Sequence, residues 1–185
     1  MQVTNSDNNS FELRFQIYNG NHKDISKFFG FDVINLLYTI NNSDIIAQNH
    51  TLVTTPIVNR DEVGEANVQF LFYHLFKDCG IPQYYLNMKM ILTIQDNIMR
   101  YTSEVIPDTP DFVENLPTRT RQPKPIPISK MDIQVEIPGP SMASIIISFS
   151  IDNKGVVSTS QRTRMITMIF KQMFSRLKEF IESVP

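Results

Sequence analysis

The sequence predicts an α+β fold: an antiparallel or mixed sheet with two main amphipathic helices packed on it and a proline-rich crossover in the middle. Three observations predict this. Runs at 11–18, 85–95, 131–137 and 143–151 alternate apolar and polar residues, as half-buried strands do. Two stretches, 61–79 and 158–185, space apolar residues three and four apart, the period of one helix face. Between them, prolines at 107, 110, 117, 123, 125 and 127 exclude both a helix interior and a central strand, because proline lacks a backbone donor and fixes φ.

The elements follow in order. Residues 1–10 are polar and read as a flexible N-terminus. Residues 11–185 then form a single α+β domain, or two lobes, 11–106 and 131–185, joined by the proline-rich segment 107–130. Phe11, Leu13, Phe15 and Ile17 give the first strand one buried face. Asn19-Gly20-Asn21 is a turn, and 22–29 a short helix closed by Gly30 and held down by Phe28 and Phe29. Residues 31–40 fit a helix by the spacing of Val33, Ile34 and Leu37 and a strand by their β-branched content; we read them as a strand. Residues 44–48 and 51–58 read as a short hairpin with Pro56 on an edge.

Residues 61–79 read as the second main helix. Asp61 or Asn59 caps it, Glu62 and Glu65 suit its first turn, and Gly80 and Pro82 stop it. Its stripe is Val68, Leu71, Phe72, Leu75 and Phe76. Leu86, Met88, Met90, Leu92 and Ile94 face inward on the next strand, which returns through Asp96-Asn97 as 98–106. The end of the proline-rich segment, 123–130, reads as extended polyproline-like chain. Met131, Ile133, Val135 and Ile137, then Ile145, Ile147, Phe149 and Ile151, mark two strands joined by Pro138-Gly139-Pro140-Ser141. Ser158 with Gln161 fits a capping box for the final helix.

That final helix cannot be stable with its apolar stripe in water, so it must cover a sheet or a partner. Charge is distributed unevenly along the chain. Of 17 basic and 19 acidic residues, 1–116 hold 7 and 14, and 117–185 hold 10 and 5. Arg164, Lys171 and Lys178 share the helix face opposite the stripe. The single cysteine, Cys79, forms no internal disulfide and fits a reducing compartment. The segment MQVTNSDNNS lacks the basic start and apolar run of a signal peptide, and no run reaches a membrane-spanning length. These features point to an intracellular protein, cytoplasmic or nuclear.

Chemistry is weakly represented. His22, His50 and His74 lie in different elements without ligand spacing, and Cys79 has no aligned base. No metalloprotease, phosphate-loop, dinucleotide or nucleophile-elbow motif occurs. The expectation is therefore a protein without catalysis, metal or cofactor, and with no small-molecule substrate evident. Its expected role is protein–protein interaction or self-assembly, as a homo-oligomer or hetero-complex. The interaction helix would present Met165, Ile166, Met168, Ile169, Phe170, Met173, Phe174, Leu177, Phe180 and Ile181. The alternative is a structural protein, viral or scaffold-like, that meets a membrane surface or nucleic acid through a basic face of Arg119, Arg121, Lys124, Lys130, Arg164, Lys171 and Lys178.

Overall fold

The computed structural model describes residues 2–7, 10–54, 64–75, 77–117, 122–152 and 159–185. Ten strands form one sheet: β1 (Gln2–Asp7), β2 (Ser10–Tyr18), β3 (Ile46–Asn49), β4 (Leu52–Thr54), β5 (Gly64–Phe72), β6 (Tyr84–Gln95), β7 (Ile98–Val105), β8 (Lys124–Pro125), β9 (Ile128–Gly139) and β10 (Met142–Ile151). The order is β1-β2-β10-β9-β7-β6-β5-β3, with β4 also on β5 and β8 also on β6. Every pairing is antiparallel except β6 with β8. Strands from 11–106 and from 131–185 meet directly where β2 pairs β10 and β7 pairs β9. Among the described residues three α-helices accompany the sheet: α1 (Phe31–Asn41), α2 (Asp111–Glu114) and α3 (Thr159–Ser183). The architecture is α+β, a mixed, mainly antiparallel sheet with a few helices packed on it.

The alternating runs become strands at the expected places. The β6–β7 hairpin closes through Asp96-Asn97, with Asp96 in the left-handed region at φ 53°, where Asp and Asn are tolerated better than most residues. Residues Ile25–Phe29 form a 3-10 turn, capped by the Asp24 side chain on the Ser26 amide and ended by Gly30.

Three expectations are corrected. The segment 61–79 is not a helix: Gly64–Phe72 is strand β5, while 61–63 lie outside the described residues. Ala66, Val68, Phe70 and Phe72 point into the core with period two, and Leu71 is buried on the other face. The end of β5 at Phe70–Phe72 is buried on both faces, so the alternation breaks there and the apolar run imitates a helical stripe. Conversely, 31–40 is helix α1 rather than a strand. Its inward residues Ile34, Leu37 and Tyr38 follow helical spacing, while Leu36 and Ile40 are exposed. Finally, the described part of the expected 44–58 hairpin is not one, and 55–58, with Pro56, lie outside the described residues. Strands β3 and β4 both pair with β5, at Phe70–Phe72 and Glu65–Asn67, and not with each other.

Within the proline-rich segment, α2 packs on the outer face of the sheet, Ile126 joins the inner core, and 118–121 lie outside the described residues. Val113 of α2 is buried against Leu71 and Tyr85, with Ala47, Phe112 and Leu116 packed around them. The inner face is covered by α1 and α3. Helix α3 buries Ile166, Ile169, Phe170, Met173, Phe174, Leu177 and Ile181 there, with ring contacts from Phe170 to Phe149 and from Phe174 to Phe15.

The C-terminal end of α3 is held by Asn19, which is only 2% exposed. Its amide donates to the Ile181 carbonyl at 2.7 Å and the Val184 carbonyl at 2.8 Å. Its side-chain oxygen accepts the amides of Asn21 and His22 at 2.9 and 3.1 Å. One side chain thus closes its own turn and satisfies orphan carbonyls at a helix end, where four carbonyls lack intrahelical partners. Asn19→Ala should cost about 2–4 kcal/mol, since it strands buried donors and acceptors at about 1–3 kcal/mol each. Urea unfolding followed by circular dichroism checks this; a loss within 0.5 kcal/mol, roughly the scale of a surface substitution, removes the fastening role.

Candidate functional site

The inner face does not close completely. A cavity of about 80 Å³ lies between the sheet, α1 and α3. Six neighbouring strands line it, through Phe15 of β2, Ile145 of β10, Ile133 of β9, Tyr101 of β7, Met90 of β6 and Phe70 of β5. Laid flat, six strands span about 24 Å at about 4.8 Å each, so a single small cavity can touch all of them only if the sheet curls around it. Helix α3 supplies Phe170, Met173, Phe174 and Leu177, and α1 supplies Phe31, Ile34, Asn35 and Tyr38.

The lining is almost entirely hydrocarbon. Among the described residues that form it there is no Asp, Glu, Lys, Arg, His or Cys. The polar exceptions are Asn35, Thr51 and the phenols of Tyr38 and Tyr101. The Asn35 side-chain oxygen accepts from the Asn49 amide at 2.7 Å, and the Thr51 hydroxyl accepts the Gln69 backbone N–H at 3.3 Å. The Tyr101 hydroxyl donates to the Phe29 carbonyl and ties the 3-10 turn to the sheet. Burial raises the ionisation of both phenols far above the usual tyrosine value, with the neighbouring Tyr101 adding to the effect on Tyr38. Both therefore remain neutral hydroxyls.

Aromatic packing sets the shape. Tyr38 stands edge-on to Phe70 at 6.2 Å and to Phe174 at 5.8 Å, joining α1, β5 and α3. Phe31 stands edge-on to Tyr101 at 5.5 Å. It also lies over Gly64 at the start of β5, where a Cβ would come within 3.1 Å of the ring. Outside the cavity, Arg176 clamps α1 to α3. Its guanidinium takes both carboxylate oxygens of Asp44, at 2.8 Å on the longer contact, and donates to the Asn41 carbonyl at 3.1 Å. This hydrogen bonding holds the Asp44 carboxyl below its ordinary value.

The proposed interaction helix divides between core and surface. Seven of its ten named residues are buried in the chain's own core, Met165 and Phe180 are half-buried, and Met168 is 54% exposed. The basic set is dispersed among the described residues. Arg164 and Lys171 are exposed on α3, while Lys178 donates to the Gln16 carbonyl at 2.8 Å and pairs with Glu182. Lys130 pairs with Asp132 at 2.6 Å on the outer face of the sheet, and Lys124 sits beside β6. Arg119 and Arg121 lie outside the described residues, as does the side chain of Cys79. His74 bonds the Ile81 carbonyl at 2.6 Å, and His50 stacks on Phe112. Among the described residues, no three His, Cys, Asp or Glu side chains gather as metal ligands, and no helix is long and apolar enough to cross a membrane. Sequence reasoning missed Tyr38, Asn35 and Phe31 because it made 31–40 a strand. The signal that could have found them was the 3.6-residue spacing of Ile34, Leu37 and Tyr38.

Neither a protein-family model nor a curated protein matches the chain. Its fold matches solved structures. The human StarD13 (DLC2) lipid transfer and protein localization domain has a TM-score of 0.55 and 9% identity, over 99% of this chain and 89% of that one. A STAR-related lipid transfer protein from Xanthomonas axonopodis (fragment 25–204) has a TM-score of 0.50 and 10% identity, over 97% and 90%. The shared arrangement is a helix grip, a sheet wrapped around a long C-terminal helix.

These findings correct the expected function and partners. The helix face assigned to protein–protein interaction or self-assembly is covered by the chain's own sheet, and its residues wall a cavity. The two matched structures are described as a lipid transfer and protein localization domain and as a lipid transfer protein. The statement that no small-molecule partner is evident is withdrawn on the same grounds.

The clamp yields a pH prediction. Asp44 is depressed in the folded chain, so its contribution is present above the unfolded carboxyl value, about 3.9, and is lost as pH falls through the lower folded value. Because Asp44 is 62% exposed, solvent screening limits the effect to about 1 kcal/mol or less. Asp44→Asn should lower the melting temperature slightly at pH 7, and the gap from the unsubstituted chain should narrow below pH 4. A gap independent of pH in thermal melts would dismiss the ion pair as its cause.

Proposed function

We propose that this protein binds a small hydrophobic, lipid-like molecule in the cavity between α1, α3 and the curled sheet, and does so without catalysis. The carrying observation is the cavity itself: an uncharged pocket walled by apolar side chains from six strands and two helices. Apolar concave sites with a few polar groups are the usual form of small-molecule sites. A fold shared with two structures described as lipid-transfer proteins adds support. The non-catalytic part of the reading rests on the lining, whose hydroxyls among the described residues are two neutral phenols and Thr51.

Size sets a condition. A cavity of about 80 Å³ is smaller than the engineered site of about 150 Å³ that accepts benzene, and far below the ~300–1,000 Å³ of drug-sized sites. Binding must therefore displace wall residues. Met90, Met131 and Met173 line the cavity and change shape at low cost. Movement of α1 would break the Arg176 bond to the Asn41 carbonyl, the Asn49 bond to Asn35, and the ring contacts of Phe31 and Tyr38.

A saturable titration with the uncharged fluorophore N-phenyl-1-naphthylamine tests the reading. The expected result is one site per chain with an affinity on the order of micromolar. Val135 is buried and lines the cavity. Val135→Phe should fill the gap and weaken the probe at least tenfold, at an overpacking cost of about 1–3 kcal/mol that a cooperative melt would monitor. Absence of saturable binding, or a folded variant that binds as well as the original, counts against the cavity as the site.

A further inference from the structure

We infer that the molecule held in this cavity is uncharged over its buried part and carries a hydrogen-bond acceptor that meets the hydroxyl of Tyr38. The inference rests on the ligand-binding reading above and narrows the chemical class. Tyr38 reaches the cavity from α1, with its ring fixed between Phe70 of β5 and Phe174 of α3. The other cavity phenol, Tyr101, already donates to the Phe29 carbonyl. No hydrogen bond joins the Tyr38 hydroxyl to a described residue; its side chain is half-buried at the cavity wall, and burial and the neighbouring Tyr101 raise its pKa. A donor set among carbon walls is favoured by any ligand that supplies an oxygen or nitrogen to it.

The remaining wall supports the same class. The Asn35 and Thr51 oxygens are already accepting hydrogen bonds, from Asn49 and from the Gln69 amide. Among the described residues no cation lines the cavity, so a carboxylate or phosphate buried there would lose its hydration without a charged partner. An ammonium group would be equally unpaired. The wall therefore selects against both signs of charge and fits small ketones, esters and alcohols better than ionised carboxylates. A water bridging to Tyr38 is the competing occupant, but a buried water needs about two to four polar partners, and Tyr38 is set in a mostly hydrocarbon wall.

The test uses three probes of nearly equal shape, acetophenone, ethylbenzene and benzoate, titrated at pH 7 by chemical-shift changes in the full chain and in Tyr38→Phe. Tyr38→Phe should weaken acetophenone about five- to tenfold, the factor one hydrogen bond of ordinary net strength supplies. It should leave ethylbenzene within about twofold, as expected when only a hydroxyl is removed from an apolar contact. Benzoate should bind the unsubstituted chain at least tenfold more weakly than acetophenone. An equal change for ketone and hydrocarbon, or none for the ketone, overturns the role of Tyr38. Benzoate binding as tightly as acetophenone overturns the uncharged class. If the unsubstituted chain binds none of the three, the ligand-binding reading itself fails. Ethylbenzene binding without the ketone effect leaves that reading standing and rejects only the inference. A cooperative melt of Tyr38→Phe confirms that the comparison is made on folded protein.

Discussion

The structure depends on hiding one side of α3. Helices of this length gain most of their stability from burying an apolar face, and seven large side chains on α3 are buried beneath the surface. No single strand pair is broad enough to cover that face. It is covered because β2, β10, β9, β7, β6 and β5 lie side by side and curl around it. The order of the sheet follows from this. Strands β9 and β10, adjacent to α3 in sequence, occupy its centre, and the N-terminal strands complete it on both sides. Each strand contributes alternate residues to the curled face, so a continuous apolar trough forms without any strand being apolar throughout.

Burial alone would leave α3 free to slide or rotate in that trough, and directional contacts fix its position. Asn19 holds the helix end through two carbonyls, and Glu182 accepts the Tyr18 amide at 3.1 Å. Lys178 reaches the Gln16 carbonyl, and Arg176 reaches Asp44 and Asn41. All of these lie in the last two turns of α3 or just beyond them. The Arg176–Asp44 pair also joins the basic C-terminal third to the acidic N-terminal part, so some of the charge asymmetry in the sequence is resolved within one chain.

Legibility in the sequence followed how many faces of each element are buried. Strands β2, β6, β7, β9 and β10 show their alternation because their outer faces are largely polar, and α3 shows its stripe because its other side carries Arg164, Lys171 and Glu179. Strand β5 was misread because Leu71 is covered by α2, which cancels the polar half of its pattern. Helix α1 was read as a strand for its β-branched content, and the exposed apolar Leu36 and Ile40 dilute the polar side that Asp32 and Thr39 would otherwise mark. The same error hid the site. The α3 side of the cavity was named residue by residue from the sequence, but as a surface for partners. Its opposing wall on α1 could not be recognised while that segment was placed in a sheet. A cavity is a relation between elements, and no run of residues announces it.

Why the trough retains a gap follows from the kinds of side chain that meet there. Phe11 and Phe149, Phe149 and Phe170, Phe170 and Phe174, then Phe174 with Phe15 and Tyr38, form a connected set of ring contacts at 5.5–6.5 Å. Rigid planar groups prefer offset or edge-on approaches and cannot bend into the irregular space those approaches leave. Methionine can, and Met90, Met131 and Met173 lie on three different walls: two strands of the sheet and the helix above it. The ring contacts therefore hold α1, α3 and the sheet in register, while the methionines can yield to a larger apolar guest. A core built only from rings would resist such a guest, and one built only from methionines would leave Tyr38 without a fixed direction. The combination gives a lining whose rings set the shape, whose methionines adapt to it, and in which the ring of Tyr38 keeps a defined direction.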